Sequence, residues 1–469
     1  MKTTKKIFAA VLAVMMIALM IPFSASAAEG NTYNAFIKGK NGFTVDVYKV
    51  AKINTTTGEY TEIQGGTAVA TALKTWKNAS GNDSKALLAA CESATFTDAD
   101  SKGNHEFTSD EDVYNFGTNE AGVYYVKVTG QPAETSVKKK GGALFALPEG
   151  TKTTQGSAEA PIELKINTGA VEVSKEIVGG DIDTKKTTAS AGDTVTFKLT
   201  ASVTGSKEVP LTEYTIHDNL SGSFDTPAVT EVKVDDTKLS TSDYTVDASS
   251  QSDIKISLSE SYLKAAKEGT NDFYASSDVT VTLTAVLKDT AVSGNTATAN
   301  SNSDSLTYTN TYGQASKSGG TVYVYTFDLP VFKYDGTTAD KKGLGNATFV
   351  LKKADGTEVA TKVTSVEAGS EGKVTFEKLG AGTYTVQETI APSGYNRNST
   401  LYTINISVEG VITVNGDSNT VTTLEVPNYP VTVPSTGGMG TMMFYVGGAA
   451  LIACAGVLLF VLKRKKAAK

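Results

Sequence analysis

Leu329-Pro330-Val331-Phe332-Lys333-Tyr334-Asp335 carries apolar side chains at alternate positions and a lysine in register with them. A strand alternates its faces with period two, so Leu329, Val331 and Lys333 share one face. Two later runs repeat the pattern. Tyr384, Val386, Glu388 and Ile390 share a face, as do Leu424, Val426 and Asn428. Each polar residue is therefore directed, with its apolar neighbours, at a core. A lone charge in a core costs several kcal/mol unless it is paired or neutralised. A single inward lysine is ordinarily an edge-strand or snorkelling side chain, but here the trio recurs upstream. Val171, Val173, Lys175 and Ile177 share a face; so do Tyr214, Ile216, Asp218 and Leu220, and Leu306, Tyr308, Asn310 and Tyr312. Each set offers a lysine on a first strand, an acid in the middle and an asparagine near the last strand. Asn302 rivals Asn310. Asn310 is preferred for its Leu306 and Tyr308 neighbours and its distance to the Tyr325-Thr326-Phe327 run.

The surrounding sequence is of the same kind. From Phe43 onward, short alternating runs rich in Thr, Val, Tyr and Ile are broken by Gly, Asn, Asp and Ser. That pattern predicts a mainly β chain of tandem immunoglobulin-like sandwiches. Ala and Leu recur at helical spacing over Thr67 to Ala90, with a break near Gly81, which predicts two short helices in the first domain. New strand patterns restart at Ala170 and at Leu329, so the predicted domains are 28–168, 169–330 and 331–432.

The two ends read differently. Lys2, Lys5 and Lys6 precede an uncharged run from Ile7 to about Ile21, and Ala25-Ser26-Ala27 follows. A positive start, an apolar stretch and an A-x-A site make residues 1–27 a secretory signal peptide. At the other end, Met439 to Leu462 is uncharged and long enough to span a bilayer, and Lys463, Arg464, Lys465 and Lys466 follow it. Basic flanks stay on the cytoplasmic side, so the body of the chain lies outside. Just before the span stand Val433, Pro434, Ser435, Thr436 and Gly437. Pro-x-Thr-Gly, an apolar span and a basic tail, in that order, resemble a sortase cell-wall sorting signal over 433–469. The usual leading Leu is Val here. The resemblance implies attack of a sortase cysteine on the Thr436 carbonyl, release of Gly437 onward, and resolution of the acyl-enzyme by an amine.

The lysine sets carry a second resemblance. Lys333, the run Tyr384-Thr385-Val386-Gln387-Glu388 with Ala391-Pro392-Ser393-Gly394-Tyr395 after it, and Asn428 resemble a Cna B-type domain. The run ending at Glu388 resembles the E-box of Gram-positive pilins. Ile216-His217-Asp218-Asn219-Leu220 and Tyr323-Val324-Tyr325-Thr326-Phe327 resemble the isopeptide-forming domain of fimbrial subunits. With its two ends, the chain is similar to a sortase-assembled major pilin, the backbone subunit of a surface fimbria that supports adhesion. The resemblance implies autocatalysis. Burial lowers the lysine pKa and raises that of the acid; the neutral amine of Lys333 attacks the Asn428 amide, polarised by protonated Glu388, and ammonia leaves. Lys175, Asp218 and Asn310 would act alike.

A polymer also needs an exposed acceptor lysine. Ile162, Leu164 and Ile166 face one way, and Glu163, Lys165 and Asn167 the other, which predicts an exposed Lys165. Its place at the end of the first domain resembles the pilin-motif lysine, although Glu163-Leu164 stands where Tyr-Pro is usual. Lys138, Lys139 and Lys140 are the alternatives. The implied partners are a pilin-type sortase, further copies of the chain, ancillary pilins, peptidoglycan and a host surface ligand. The rival reading is a monomeric wall-anchored adhesin, which needs no acceptor amine.

Composition bounds the remaining classes. The 469 residues carry 43 basic and 50 acidic side chains. The leader and tail hold basic residues and no acids, so the part between is more acidic than the whole chain's −7. Nothing there suggests nucleic-acid binding. The two histidines, His105 and His217, have no metal-ligand spacing, and no cofactor or metal is expected. Apart from the self-directed amide chemistry, no enzyme motif occurs. Cys454 lies in the tail, which leaves Cys91 alone and permits no disulfide in the processed chain. Lys49 shares a face with Val45 and Val47, but the run Val123-Tyr124-Tyr125-Val126 offers no acid on that face, so no bond is predicted there.

Overall fold

The computed structural model describes residues 32–53, 59–76, 84–97, 101–138, 141–147, 161–164, 166, 168–294, 300–432 and 440–466. The signal peptide, Lys139, Lys140, Lys165, Asn167 and Val433 to Gly437 lie outside the described residues. The chain is mainly β and forms two compact units, Met1–Phe327 with Lys378–Ala381, and Asp328–Glu377 with Gly382–Lys469.

Within the first unit, the N-terminal sheet runs Tyr60–Glu62, Thr44–Ile53, Gly122–Gly130, Gly142–Leu147, with Ser101–Glu106 also on Thr44–Ile53. A smaller sheet orders Val113–Glu120, Thr32–Lys38 and Ile162–Glu163, the last pair parallel. Two helices, Gly66–Trp76 and Ser84–Ser93, fall where the Ala/Leu spacing predicts them. Val69, Leu73, Leu87 and Cys91 make their buried side, packed with Tyr48, Phe96 and Tyr125. Cys91 is thus a core side chain, and burial pushes its thiol up to about 12.

The second half of this unit is a two-sheet sandwich. One sheet orders Val173–Ile177, Thr194–Ser202, Asp278–Val286, Ala228–Val234 and Thr237–Lys238. The other orders Lys186–Thr188, Gly313–Tyr325, Ser301–Asn310, Glu213–Leu220, Ile254–Leu258 and Tyr244–Asp247. Phe197, Leu199, Val281 and Leu283 from the first meet Tyr214, Ile216, Leu306 and Tyr308 from the second in one core. A helix, Glu260–Glu268, lies outside the sequence expectation, which placed helices only in the first domain. Its determinants are local. The Ser259 hydroxyl caps it by accepting from the Tyr262 N–H, Gly269 closes it at φ 78°, and Leu263 and Ala266 are its buried residues.

In the second unit, a three-stranded sheet orders Lys373–Leu379, Phe327–Asp335 and Leu424–Asn428. A six-stranded sheet orders Glu358–Val363, Thr348–Lys353, Gly382–Ile390, Tyr402–Ile406, Ile412–Val414 and Thr420–Val421. The first and last strands, Phe327–Asp335 and Leu424–Asn428, are parallel neighbours with Lys333 opposite Val426. Beyond them the helix Gly440–Lys466 includes Met442–Arg464, long and apolar enough to cross a membrane.

Candidate functional site

The alternation along Leu329 to Asp335 is realised at every position, whereas Ile390, in register with Glu388, is exposed at the strand end. Along Phe327–Asp335, Leu329, Val331 and Lys333 are buried, and the residues between them are only partly covered. Lys333 arrives in the core with its chain neighbours' apolar side chains. Asn428 does so on the adjacent strand, and Glu388 on Gly382–Ile390 of the facing sheet. All three are essentially inaccessible. Lys333 Nζ donates to Asn428 Oδ1 at 2.5 Å and to the Val426 carbonyl at 3.1 Å. Asn428 Nδ2 donates to Glu388 Oε1 at 2.8 Å, and that same oxygen is 3.7 Å from Lys333 Nζ. Burial pushes the Lys333 amine down to about 8, with Glu388 pulling the other way.

A residue that strand periodicity does not reveal completes this site. The Asn398 N–H donates to Glu388 Oε2 at 2.6 Å, and its side-chain amide donates to the Pro427 carbonyl and the Tyr402 hydroxyl, both at 3.1 Å. The loop after Gly382–Ile390 therefore fixes the carboxyl from the side away from the lysine.

The second site sits between the two sheets of the preceding sandwich. Lys175, on Val173–Ile177, forms an ion pair with Asp218, on Glu213–Leu220, and both are fully buried. Burial holds the lysine below its ordinary range and the aspartic acid above its own; their mutual attraction opposes both shifts. The asparagine beside them is Asn302, not the preferred Asn310. Register is the reason. Asp218 stands opposite Asp304 and Leu220 opposite Asn302, whereas Tyr214, nearer the other strand end, pairs with Tyr308. Asn310 lies further on, where its Nδ2 donates to Gln131 Oε1 at 3.3 Å and its Oδ1 accepts from the Tyr312 N–H at 2.8 Å. It belongs to the packing of the N-terminal part against the second sandwich, with the Tyr308 hydroxyl donating to the Thr135 carbonyl at 2.7 Å. Asn302 is fully buried, and its amide bears on Asp218 closely enough to favour the carboxylate. Yet neither of its side-chain polar atoms has a well-formed hydrogen bond among the described residues. A buried amide in that state is costly.

Residues 328–420 match the SpaA prealbumin-like fold domain. The chain resembles the solved full-length major pilin SpaD from Corynebacterium diphtheriae at TM-score 0.55 and 19% identity, over 87% of this chain and 100% of that one. It resembles the T6 backbone pilin of serotype M6 Streptococcus pyogenes at TM-score 0.53 and 17% identity, over 81% of each chain. The fold is that of Gram-positive major pilins. No curated protein matches the chain by sequence.

Elsewhere in this pilin fold the candidates stand apart from these clusters. Lys49 is buried, as its face predicts, and pairs with Glu120 Oε2 at 2.7 Å. Glu120 ends the strand Val113–Glu120, just ahead of the run Val123-Tyr124-Tyr125-Val126, and its side chain is largely exposed. Lys138 is half-buried and donates to the Val203 carbonyl at 2.8 Å; burial lowers its amine. His105 pairs with Asp112 and His217 with Asp253. No group of three or more metal-binding side chains occurs among the described residues.

Proposed function

We propose that this protein is the shaft subunit of a covalent pilus, joined by a pilin-type sortase, anchored to peptidoglycan and locked internally by two self-made Lys–Asn amide bonds. The observation that carries the reading is Glu388 Oε1, which lies 3.7 Å from Lys333 Nζ and 2.8 Å from Asn428 Nδ2. One oxygen thus spans the atom that must lose a proton and the atom that must gain one. The Lys333 lone pair adds to Asn428 Cγ and forms a C–N bond. Glu388 gives a proton to Nδ2 and regains one from Nζ. The Cγ–Nδ2 bond then breaks and ammonia leaves, so an amine and a primary amide become a secondary amide and ammonia. The fold supplies the rate by holding the groups in contact. Lys175, Asp218 and Asn302 make the second bond, with Asn302 in the place first given to Asn310.

Sortase chemistry then joins the Thr436 carbonyl of one copy to a lysine amine of the next, with Lys165 as the acceptor. Lys138 suits that role less, since it is half-buried and engaged with Val203. The proposed location is the cell wall, reached through a membrane-bound precursor held by Met442–Arg464.

The test has two parts. Intact mass of the chain should fall short of its sequence mass by two ammonias. Cells making the protein with its sortase should yield a ladder on SDS gels after boiling, collapsed to monomer by Lys165→Arg, whose guanidinium stays protonated. A full sequence mass would remove the amide bonds. A wall-bound monomer without a ladder would favour the monomeric adhesin.

A further inference from the structure

The Lys175 site contains a second acid that the three-residue scheme does not use. Asp304 is on Ser301–Asn310, directly opposite Asp218, and the alternation turns both toward the core. Two carboxyl groups at facing positions of an antiparallel pair are near neighbours. Lys175 cannot neutralise both, and the other lysine near Asp304, Lys185, donates to the Lys175 backbone carbonyl.

The backbone is shaped around this second acid. The pairing of Ser301–Asn310 with Gly313–Tyr325 runs Ser303 to Thr321 and then Ser305 to Ser318, so Asp304 faces an irregularity formed by Gly319 and Gly320. The Gly320 N–H donates to Asp304 Oδ1 at 2.8 Å. A side chain at Gly319 would collide with that same oxygen and come within 2.7 Å of Val173. The other oxygen, Oδ2, is buried and has no hydrogen-bond partner among the described residues. A carboxyl group that accepts an N–H on one oxygen and has no protein donor at its other, buried oxygen is suited to carry a proton.

We propose that Asp304 is an electrostatic gate for amide formation at Lys175: protonated, it lets the Lys175 proton pass to Asp218; ionised, it clamps Lys175 as an ammonium. The inference rests on the reading of Lys175, Asp218 and Asn302 as an amide-forming site. The groups facing Asp304 are Lys175 from Val173–Ile177, Asp218 from Glu213–Leu220, and Lys185 from the segment before Lys186–Thr188. Burial pushes Asp304 up to about 6, against the pull of Lys175 and the Gly320 N–H, and its charge favours the ammonium of Lys175. With Asp304 neutral, Lys175 ammonium and Asp218 carboxylate exchange one proton to become amine and acid. The amine adds to Asn302 Cγ, the amide nitrogen gains the proton that Nζ sheds, and ammonia leaves. Asp304 keeps its proton throughout and acts as a positioning residue.

The experiment uses the full chain, synthesised briefly in detergent micelles, quenched in denaturant and refolded by dilution at pH 5 to 8. Mass and peptide mapping follow the Lys175 link with time. The wild-type rate should fall at least ~10-fold from pH 5 to pH 8, since each unit above a pKa leaves about tenfold less of the protonated form. Asp304→Asn keeps the shape, cannot ionise, and should hold the rate within ~2-fold across that range. Gly319→Ala, which displaces the carboxyl, should also change the profile. A wild-type rate flat with pH, or a fall that persists in Asp304→Asn, would overturn the gate. So would a link that maps to residue 304 or departs with water. Absence of any link at Lys175 in the wild type would remove the underlying site instead, a result distinguishable from failure of the gate.

Discussion

Replacing Glu388 by Ala separates the proposed bond from the fold that surrounds it. The carboxyl is the group in contact with the leaving nitrogen, so its loss should leave Lys333 and Asn428 unjoined while the strands that present them remain. The cost follows from the chain. Lys333 and Asn428 are 95 positions apart, nearly the whole of their sandwich. Closing a loop of that size removes denatured-state entropy equivalent to about 4.7 kcal/mol. For a domain of ~100 residues, an unfolding entropy near 0.2 kcal/mol/K converts this into a melting point lower by roughly 20 °C. Scanning calorimetry on the full chain in micelles, paired with intact mass, measures both quantities on one sample. The deficit against the variant's own sequence mass should shrink from two ammonias to one as the transition of this unit moves down. A variant that loses the ammonia deficit yet melts with the wild type would refute the entropy argument. A variant that keeps the full deficit would refute the role given to Glu388.

Three further outcomes follow. Asn302→Ala should restore one ammonia, whereas Asn310→Ala should leave the mass deficit intact and only weaken the contact with Gln131, seen as faster proteolysis in the N-terminal part. In unlinked Asn428→Ala, Lys333 remains a buried amine depressed to about 8, below its ordinary 10.5. The unfolded chain then binds more protons between those values, so stability should rise with pH from about 8 to 10.5; denaturant melts should show this rise in the variant and not in the linked wild type. Thr436→Ala should leave the protein in the membrane fraction, since the acyl transfer needs that carbonyl in its native sequence; release with wall fragments would indicate another anchoring route.

Much of this arrangement is legible in the alternation of side chains. Lys175, Asp218, Lys333, Glu388 and Asn428 all reach the core because period two puts them there. Periodicity cannot choose between residues on one face of one strand, and Asn302, Asp304 and Asn310 are equivalent by that criterion. The pairing register, with Asp218 opposite Asp304, separates them, and register is set by the whole sheet. Asp304 was visible in the same alternation, between Asn302 and Leu306. Its glycine seat was not, because a β-sheet irregularity depends on two strands at once. Asn398 acts through a backbone N–H from a loop, which leaves little trace in residue type. The helix Glu260–Glu268 carried its own signals, a serine cap and a closing glycine, but its shortness hid them among turn residues.

The parallel pairing of Phe327–Asp335 with Leu424–Asn428 bears on mechanical load. The chain enters this unit along the first of these strands and leaves it along the second. With the proposed bond made, tension applied along a pilus of such subunits would enter through Leu329 to Lys333, cross the side-chain amide and depart at Asn428. The residues between 333 and 428 are shunted out of the force path. Their hydrogen bonds shape the unit without bearing the pull, and extension is resisted there by covalent bonds alone.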